Sequence, residues 1–250
     1  MDLKENKNID GDKFRRHPWE IVRSEFILHN LKNIYKNNTK PSSVLDIGSG
    51  DAYISKAILD YFPGTKVVSV DTGYESCFTS GRHQVANSLD HIANDKFAVI
   101  LLLDILEHVK DDQKFLKDII HRFSYQETFF LITVPLHPFI FSNHDINLGH
   151  KRRYTYSELL AKAKSAGLRI CYSRYLFSGL LLFRILQLFF GKFINVLKPG
   201  QKGTSFTDVA TWKHSSLLTT IVNGLVRLDI KCASRLPGLS GYVLASLNHE

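Results

Sequence analysis

The 250-residue sequence has few cysteines. Its three cysteines, Cys77, Cys171 and Cys232, are odd in number, lie far apart and form no Cys-x-x-Cys pair. This spacing excludes a zinc ribbon and a disulfide-rich secreted domain, and it predicts a reducing compartment and no bound metal. The first residues are polar and lack an apolar run, so we expect no secretory signal and a cytoplasmic location.

The sequence also lacks a balance of charge, because basic residues exceed acidic ones to give a net charge of +8. Such an excess suits nucleic acid, anionic lipid or a phosphorylated substrate, although many soluble proteins are simply basic. The chain contains no recognised nucleic-acid-binding module, so nucleic acid is the less favoured partner. The length favours one domain over residues 17–250, preceded by a flexible stretch over 1–16.

What the sequence does contain is a series of apolar runs that alternate with helical patterns. Three of these runs end in an acid, at Asp46, Asp71 and Asp104. Strands that alternate with helices predict an α/β fold with a mostly parallel sheet and helices on both faces. Ligands of such sheets bind beyond the carboxyl ends of the strands, where all three aspartates are expected to lie.

A glycine turn follows the first of these runs and points to a nucleotide-type cofactor. Gly48 and Gly50 allow a close backbone approach, but Tyr53 occupies the third glycine position of a dinucleotide turn and would crowd it. Asp46, just before the turn, would repel a pyrophosphate. The sulfonium and amino groups of S-adenosylmethionine are cations that favour a nearby carboxylate. The turn amides could then face the methionine carboxylate, while Asp71 accepts from the ribose hydroxyls.

Three segments resemble the motifs of class I S-adenosylmethionine-dependent methyltransferases: 44–53, 67–71 and 101–109. The third, with Asp104-Ile105-Leu106-Glu107-His108, is similar to the small-molecule branch that includes the ubiquinone-biosynthesis O-methyltransferases. The resemblance implies a Rossmann-like sheet of seven strands and S-adenosylmethionine as the cofactor. It implies cofactor-binding residues at Asp46, Gly48, Ser49, Gly50, Asp71, Thr72, Asn87, Ser88 and Asp104. The acid usual near the adenine is missing, and Asn87 or Ser88 takes its place.

Residues 144–154 follow the fifth predicted strand and resemble a segment of methyltransferases that act on glycan, lipid or quinone-like substrates. Methyl transfer to an oxygen benefits from a general base, and histidine is the usual candidate near neutral pH. The candidates, in order of preference, are His150, His144 and His108, each with a purely structural role as the alternative. The candidate substrate-binding residues are Arg152, Arg153 and Tyr154; the two arginines could equally form a solvated basic face.

Residues 176–197 form an apolar stretch that is too polar at Arg184 and Gln187 to predict a membrane-spanning helix. The pattern fits a helix at the inner membrane face, with a core helix or a homodimer interface as the alternatives. With a second amphipathic helix over 215–233, residues 176–236 are expected to form a helical lid or membrane-facing insertion before the last strand.

The sequence therefore predicts methyl transfer from S-adenosylmethionine to a small-molecule or lipid-linked acceptor, with O-methylation favoured over N- or C-methylation. An RNA or protein methyltransferase is the first alternative, motivated by the charge of +8. A non-catalytic, membrane-docking protein that binds the cofactor is the second.

Overall fold

The computed structural model of this chain describes residues 18–37, 39–93, 95–182, 184–185, 224, 227 and 236–248. The predicted flexible stretch 1–16 lies outside these residues, and so do nearly all of the predicted insertion 176–236 and its second helix. Across the residues that are described, no helix is both long and apolar enough to cross a bilayer.

The core of the molecule is one mixed sheet of eight strands in the described part of the chain. In chain order they are β1 (Ser43–Ile47), β2 (Lys66–Val70), β3 (Phe78–Ser80), β4 (His83–Ala86), β5 (Val99–Leu103), β6 (Phe129–Pro135), β7 (Leu168–Leu176) and β8 (Ser240–Leu247). Their order across the sheet is β3-β4-β2-β1-β5-β6-β8-β7.

The pairing confirms the predicted, mostly parallel arrangement. Strands β4, β2, β1, β5 and β6 pair in parallel, while β8 runs antiparallel to both β6 and β7. The predicted number of seven strands was wrong. The eighth strand is β3, a three-residue strand that pairs antiparallel with the edge of β4. Its residues are all exposed, so no buried apolar pattern marks it in the sequence.

Helices cover both faces of the sheet, as predicted. Helices α1 (Pro18–Ile34) and α2 (Tyr53–Tyr61) bury their apolar side chains against one face. Helices α3 (Asp112–Phe123) and α5 (Tyr156–Ser165) pack on the other. The central strand β5 is buried along its whole length, which explains its unbroken Val-Ile-Leu-Leu-Leu sequence.

Short elements lie between these helices and the strand ends. They are three single 3₁₀ turns, at Leu89–His91, Leu106–His108 and Pro138–Ile140, and the short helix α4 (Asn143–Asn147). The strand order reverses between β1 and β5, because later strands add on opposite sides of this pair. The carboxyl ends of β1 and β5 therefore form the crevice where open α/β sheets bind their ligands.

Candidate active site

The glycine turn after β1 is a tight backbone loop held against the end of β2. Gly48 and Gly50 have positive φ angles of 73° and 55°. The Gly48 and Ser49 amides both donate to the Val70 carbonyl, at 2.8 and 3.1 Å. A Cβ atom on Gly48 would come within 2.6 Å of the end of the Ile105 side chain, and the positive φ would strain any other residue there.

The carboxylate of Asp71 closes the turn from the β2 side. Its two oxygens accept hydrogen bonds from the Gly50 and Gly73 amides, each at 2.8 Å. The amides of residues 48, 49 and 50 therefore all donate within the protein, which differs from the expectation that they face a ligand carboxylate. Each carboxylate oxygen has two lone pairs, so half-buried Asp71 keeps capacity for ribose hydroxyls.

Tyr74, in the loop after β2, contacts the glycine turn and was missed by sequence reasoning. Its hydroxyl lies 2.8 Å from the Ser49 hydroxyl, which ties the loop after β2 to the glycine turn. Burial, opposed by this hydrogen bond, raises the pKa of Tyr74 to about 12, so the phenol is neutral at physiological pH. Nothing in the local pattern distinguishes Tyr74 from an ordinary loop tyrosine.

Asp46 lies beneath the turn with only 3% of its surface exposed. The Ser55 hydroxyl of α2 donates to it at 2.7 Å. Burial raises the pKa of Asp46 to about 6, against the opposing effect of that hydrogen bond. Asp46 is therefore a buried acid that titrates near neutral pH behind the turn.

Asp104 ends β5 in a left-handed conformation, with a φ angle of 55°. It forms an ion pair with Arg23 of α1 and accepts a hydrogen bond from the Thr133 hydroxyl at 2.9 Å. The Arg23 Nε atom is buried, and no described residue accepts a hydrogen bond from it. Sequence reasoning missed Arg23, because a single arginine on an amphipathic helix gives no sign that it reaches a strand end 81 residues away.

The three remaining predicted cofactor residues lie at the carboxyl ends of β2 and β4. Thr72 is exposed beside Asp71. The side-chain oxygen Oδ1 of Asn87 lies 2.7 Å from His91 Nδ1. The Ser88 hydroxyl accepts from the Asp90 amide and caps the first 3₁₀ turn. The structure thus brings Asn87 and Ser88 to the expected edge of the crevice, with their side chains already hydrogen-bonded to neighbours.

Residues 149–154, part of the segment predicted to contact the substrate, pack onto the 3₁₀ turn at the end of β5. The Lys151 amide donates to the Glu107 carbonyl at 2.8 Å, and Lys151 Nζ donates to the His108 carbonyl at 2.6 Å. Leu136 and Tyr154 form an isolated parallel bridge that fixes the far end of the segment. These contacts bring His108 and His150 together, with ring centroids 4.8 Å apart and nearly perpendicular.

A fully buried carboxylate, Asp145, organises this loop. One oxygen lies 2.9 Å from His150 Nδ1 and accepts from Arg153 Nε at 2.7 Å, while the other accepts from the Ser142 amide. Although burial alone would raise it, the His150 hydrogen bond and the Arg153 charge hold the pKa of Asp145 well below its usual range. An ionised Asp145 favours the His150 tautomer that carries its proton on Nδ1. Nε2 is then free to accept a proton.

His150 Nε2 lies 3.9 Å from an oxygen of Glu107, whose carboxyl group is fully buried. Neither Glu107 oxygen has a hydrogen-bond partner among the described residues. Burial, together with the nearby charge of Asp104, raises the pKa of Glu107 well above its usual range. Ligand atoms of Glu107, His108 and His150 all lie within 4.8 Å of one another, so this cluster could hold a divalent cation.

The three predicted substrate-binding residues are tied into the scaffold of the site. Arg153, with 8% of its side chain exposed, pairs with Asp145, and Tyr154, 2% exposed, donates to Asp112 at 2.7 Å. Arg152 donates to the Lys110 carbonyl at 2.7 Å and lies 3.4 Å from Asp112. All three side chains donate hydrogen bonds to carboxylates or backbone carbonyls of the protein, and the sequence pattern does not reveal these partners.

The second candidate base, His144, is the second residue of α4 and is half-buried. Burial lowers its pKa, so its imidazole is neutral at physiological pH. The ring of His150, the first candidate, forms a hydrogen bond with the Asp145 carboxylate.

Comparison with known proteins adds a family to this geometry. A family model described as "Methyltransferase domain" matches residues 19–172. Two proteins of Rickettsia bellii, from strains OSU 85-389 and RML369-C, are named "Ubiquinone biosynthesis O-methyltransferase". Each is 24% identical over 125 residues, which cover 46% of this chain and 51% of the relative. The chain spans about half the length of these curated relatives.

Solved structures show the same fold at low sequence identity. The plantazolicin methyltransferase BpumL, in complex with a triazolic desmethylPZN analog and SAH, has a TM-score of 0.56 and 14% identity, covering 99% of this chain and 90% of its own. The plantazolicin methyltransferase BamL, with the same two ligands, has a TM-score of 0.54 and 12% identity, covering 93% and 86%.

Proposed function

Since the chain belongs to the methyltransferase-domain family and has the fold of class I methyltransferases, we propose that it transfers a methyl group from S-adenosylmethionine to an oxygen of a small-molecule or lipid-linked acceptor. The family predicted from 44–53, 67–71 and 101–109 is confirmed by the match over residues 19–172.

The residues of the crevice fit this methyl donor. Asp46, Asp71 and Asp104 place three carboxyl groups around the glycine turn, where the sulfonium and amino groups of the donor carry positive charge. Arg23 adds a guanidinium that can pair with the donor's carboxylate. When bound, the donor supplies an electrophilic methyl group next to a good leaving group, a neutral thioether.

The observation that supports oxygen as the acceptor is the hydrogen bond between His150 and Asp145. In this proposal, His150 Nε2 takes the proton of an acceptor hydroxyl as the hydroxyl oxygen forms a bond to the methyl carbon. Asp145 stabilises the imidazolium ion that results, because its buried carboxylate already accepts from Nδ1. A hydroxyl group has a high pKa, so it gains more from such a base than an amine does.

The test is a methyl-transfer assay on His150→Asn with a panel of hydroxylated aromatic and lipid acceptors. We expect turnover to fall by about 10²- to 10⁴-fold, the usual contribution of a general base, while calorimetry gives an unchanged affinity for S-adenosylhomocysteine. The matched control is His29→Asn, since His29 is exposed on α1. Undiminished turnover in His150→Asn would overturn the assignment of the base, and wild-type protein that binds neither cofactor form would overturn the proposed function.

A further inference from the structure

A chain of four hydrogen-bonded side chains runs from His83 on β4 to Asp46 beneath the glycine turn. His83 Nε2 on β4 lies 2.8 Å from the Ser69 hydroxyl on β2. Ser69 donates to the Ser55 hydroxyl on α2 at 2.8 Å, and Ser55 donates to Asp46 on β1 at 2.7 Å. The methyl-transfer chemistry proposed above uses none of these three donors.

Burial isolates the middle of this chain from solvent. Ser55 and Ser69 are fully buried, Asp46 is 3% exposed, and His83 at the other end is half-buried. A buried hydroxyl costs free energy unless it is hydrogen-bonded. The two buried serines therefore depend on each other and on Asp46 and His83 for their hydrogen bonds. The sequence does not predict the contact between Ser55 and Ser69, because the two serines lie on different elements, 14 residues apart.

The chain has a defined polarity. An ionised carboxylate can only accept, so Ser55 must donate to Asp46, Ser69 must donate to Ser55, and His83 must donate from Nε2 to Ser69. Every bond then points toward the negative charge, and successive bonds polarise one another. If Asp46 takes up a proton on the oxygen that faces Ser55, it donates to Ser55, the two serine hydroxyls rotate, and His83 Nε2 becomes the acceptor.

Other charges act on the two ends of the chain. Arg23 favours the ionised form of Asp46, whereas Asp71 and the buried state of Asp46 itself oppose it. Tyr74, also near Asp46, is neutral. At the other end, burial and the charge of Lys56 lower the pKa of His83. Burial raises the pKa of Asp46 to about 6 even with the opposing hydrogen bond from Ser55, so weakening this donor chain would raise the pKa further.

We propose that Ser55, Ser69 and His83 are positioning residues that hold Asp46 ionised, and that this relay sets the pH below which the cationic methyl donor binds weakly. This inference rests on the proposed function, because it assumes that S-adenosylmethionine binds above Asp46. The proton that neutralises Asp46 comes from solvent, the two serine hydroxyls rotate about their Cβ–Oγ bonds, and His83 exchanges its Nε2 proton for one on Nδ1 through solvent, so that its ring stays neutral.

The relay makes a prediction that compares two ligands. S-adenosylmethionine carries a sulfonium charge that S-adenosylhomocysteine lacks. We expect the Kd of S-adenosylmethionine to rise by about three- to thirtyfold between pH 7.5 and pH 5, because the sulfonium loses its attraction to one partly screened carboxylate charge. The Kd of S-adenosylhomocysteine should rise less over the same range.

The test is calorimetry with both ligands between pH 5 and pH 8 on a set of variants. Ser69→Ala and His83→Leu should move the midpoint of the pH dependence upward by about half a unit or more, since each removes part of the donor chain. Ser69→Thr keeps the hydroxyl and should restore the wild-type midpoint. Ser124→Ala, which removes a buried hydroxyl bonded to the Ile120 carbonyl elsewhere, should leave the midpoint unchanged.

The outcomes separate the relay from the proposed function. Normal binding with the same midpoint in wild type, Ser69→Ala and His83→Leu would overturn the relay alone. Because His83 is only half-buried, His83→Leu keeps the test decisive if Ser69→Ala fails to fold. Wild-type protein that binds neither ligand at any pH would overturn the proposed function and the relay with it.

Discussion

Replacing Asp145 by alanine should destabilise the protein far more than the loss of an ordinary surface acid. The carboxylate is fully buried and accepts hydrogen bonds from His150, Arg153 and Ser142. Its removal leaves the guanidinium of Arg153, only 8% exposed, without a counter-charge. It also removes the capping box at the start of α4.

The magnitude follows from these two losses. An uncompensated buried charge costs about 3–5 kcal/mol, and a lost helix cap adds about 1 kcal/mol. The expected loss of about 4–6 kcal/mol is a large share of the 5–15 kcal/mol that typically stabilises a domain. If the unpaired Arg153 is the main cause, Asp145→Ala/Arg153→Met should be more stable than Asp145→Ala alone, by roughly 2 kcal/mol or more.

Urea denaturation followed by circular dichroism measures these differences, with Asp90→Ala as the matched control. Asp90 also pairs with an arginine, Arg122, but is 87% exposed, so its loss should cost less than about 1 kcal/mol. A loss below about 1 kcal/mol in Asp145→Ala would refute the reasoning. So would strictly additive effects of Asp145→Ala and Arg153→Met, because they would mean that the two side chains do not interact.

Three further predictions concern the crevice and its support. Gly48→Ala should weaken S-adenosylhomocysteine binding by about tenfold or more in calorimetry, because the residue has a positive φ and its new Cβ would meet Ile105; retained affinity would contradict this. Tyr154→Phe should cost about 1.5–3 kcal/mol in urea denaturation, since its hydroxyl donates to the Asp112 carboxylate, and an unchanged midpoint would contradict it. Glu107→Gln, measured with a chelator present, should remove a decline in stability as pH rises. The folded pKa of Glu107 is raised, so the folded state holds a proton that the unfolded state loses from about pH 4.3 upward. The stability of the wild type should therefore fall more steeply above this pH than the stability of Glu107→Gln. Equal slopes would contradict the prediction.

Much of the fold could be predicted because its signals are local. The unbroken apolar run of β5 and the glycine turn with Asp46 ahead of it are visible in a few neighbouring residues. β3 escaped prediction because a short exposed strand at an edge lacks any apolar alternation.

The site was harder to predict, because its contacts join residues far apart in the chain. Arg23 meets Asp104 from a helix 81 residues earlier, and nothing around Arg23 signals this. Arg153 and Tyr154 have the residue types of a substrate site, yet buried acids at Asp145 and Asp112 take their donors. Residue type predicts what a side chain can bind, while its partner depends on which carboxylate the tertiary fold places beside it.

The position of β8 bears on how the chain is made. This strand follows all other described elements, yet it lies between β6 and β7 and pairs with both along its length. During synthesis on the ribosome, β6 and β7 therefore emerge with unpaired edges and wait until Ser240–Leu247 has been translated. A nascent chain that stalls before Ser240 would expose both strand edges, and such edges are templates for aggregation.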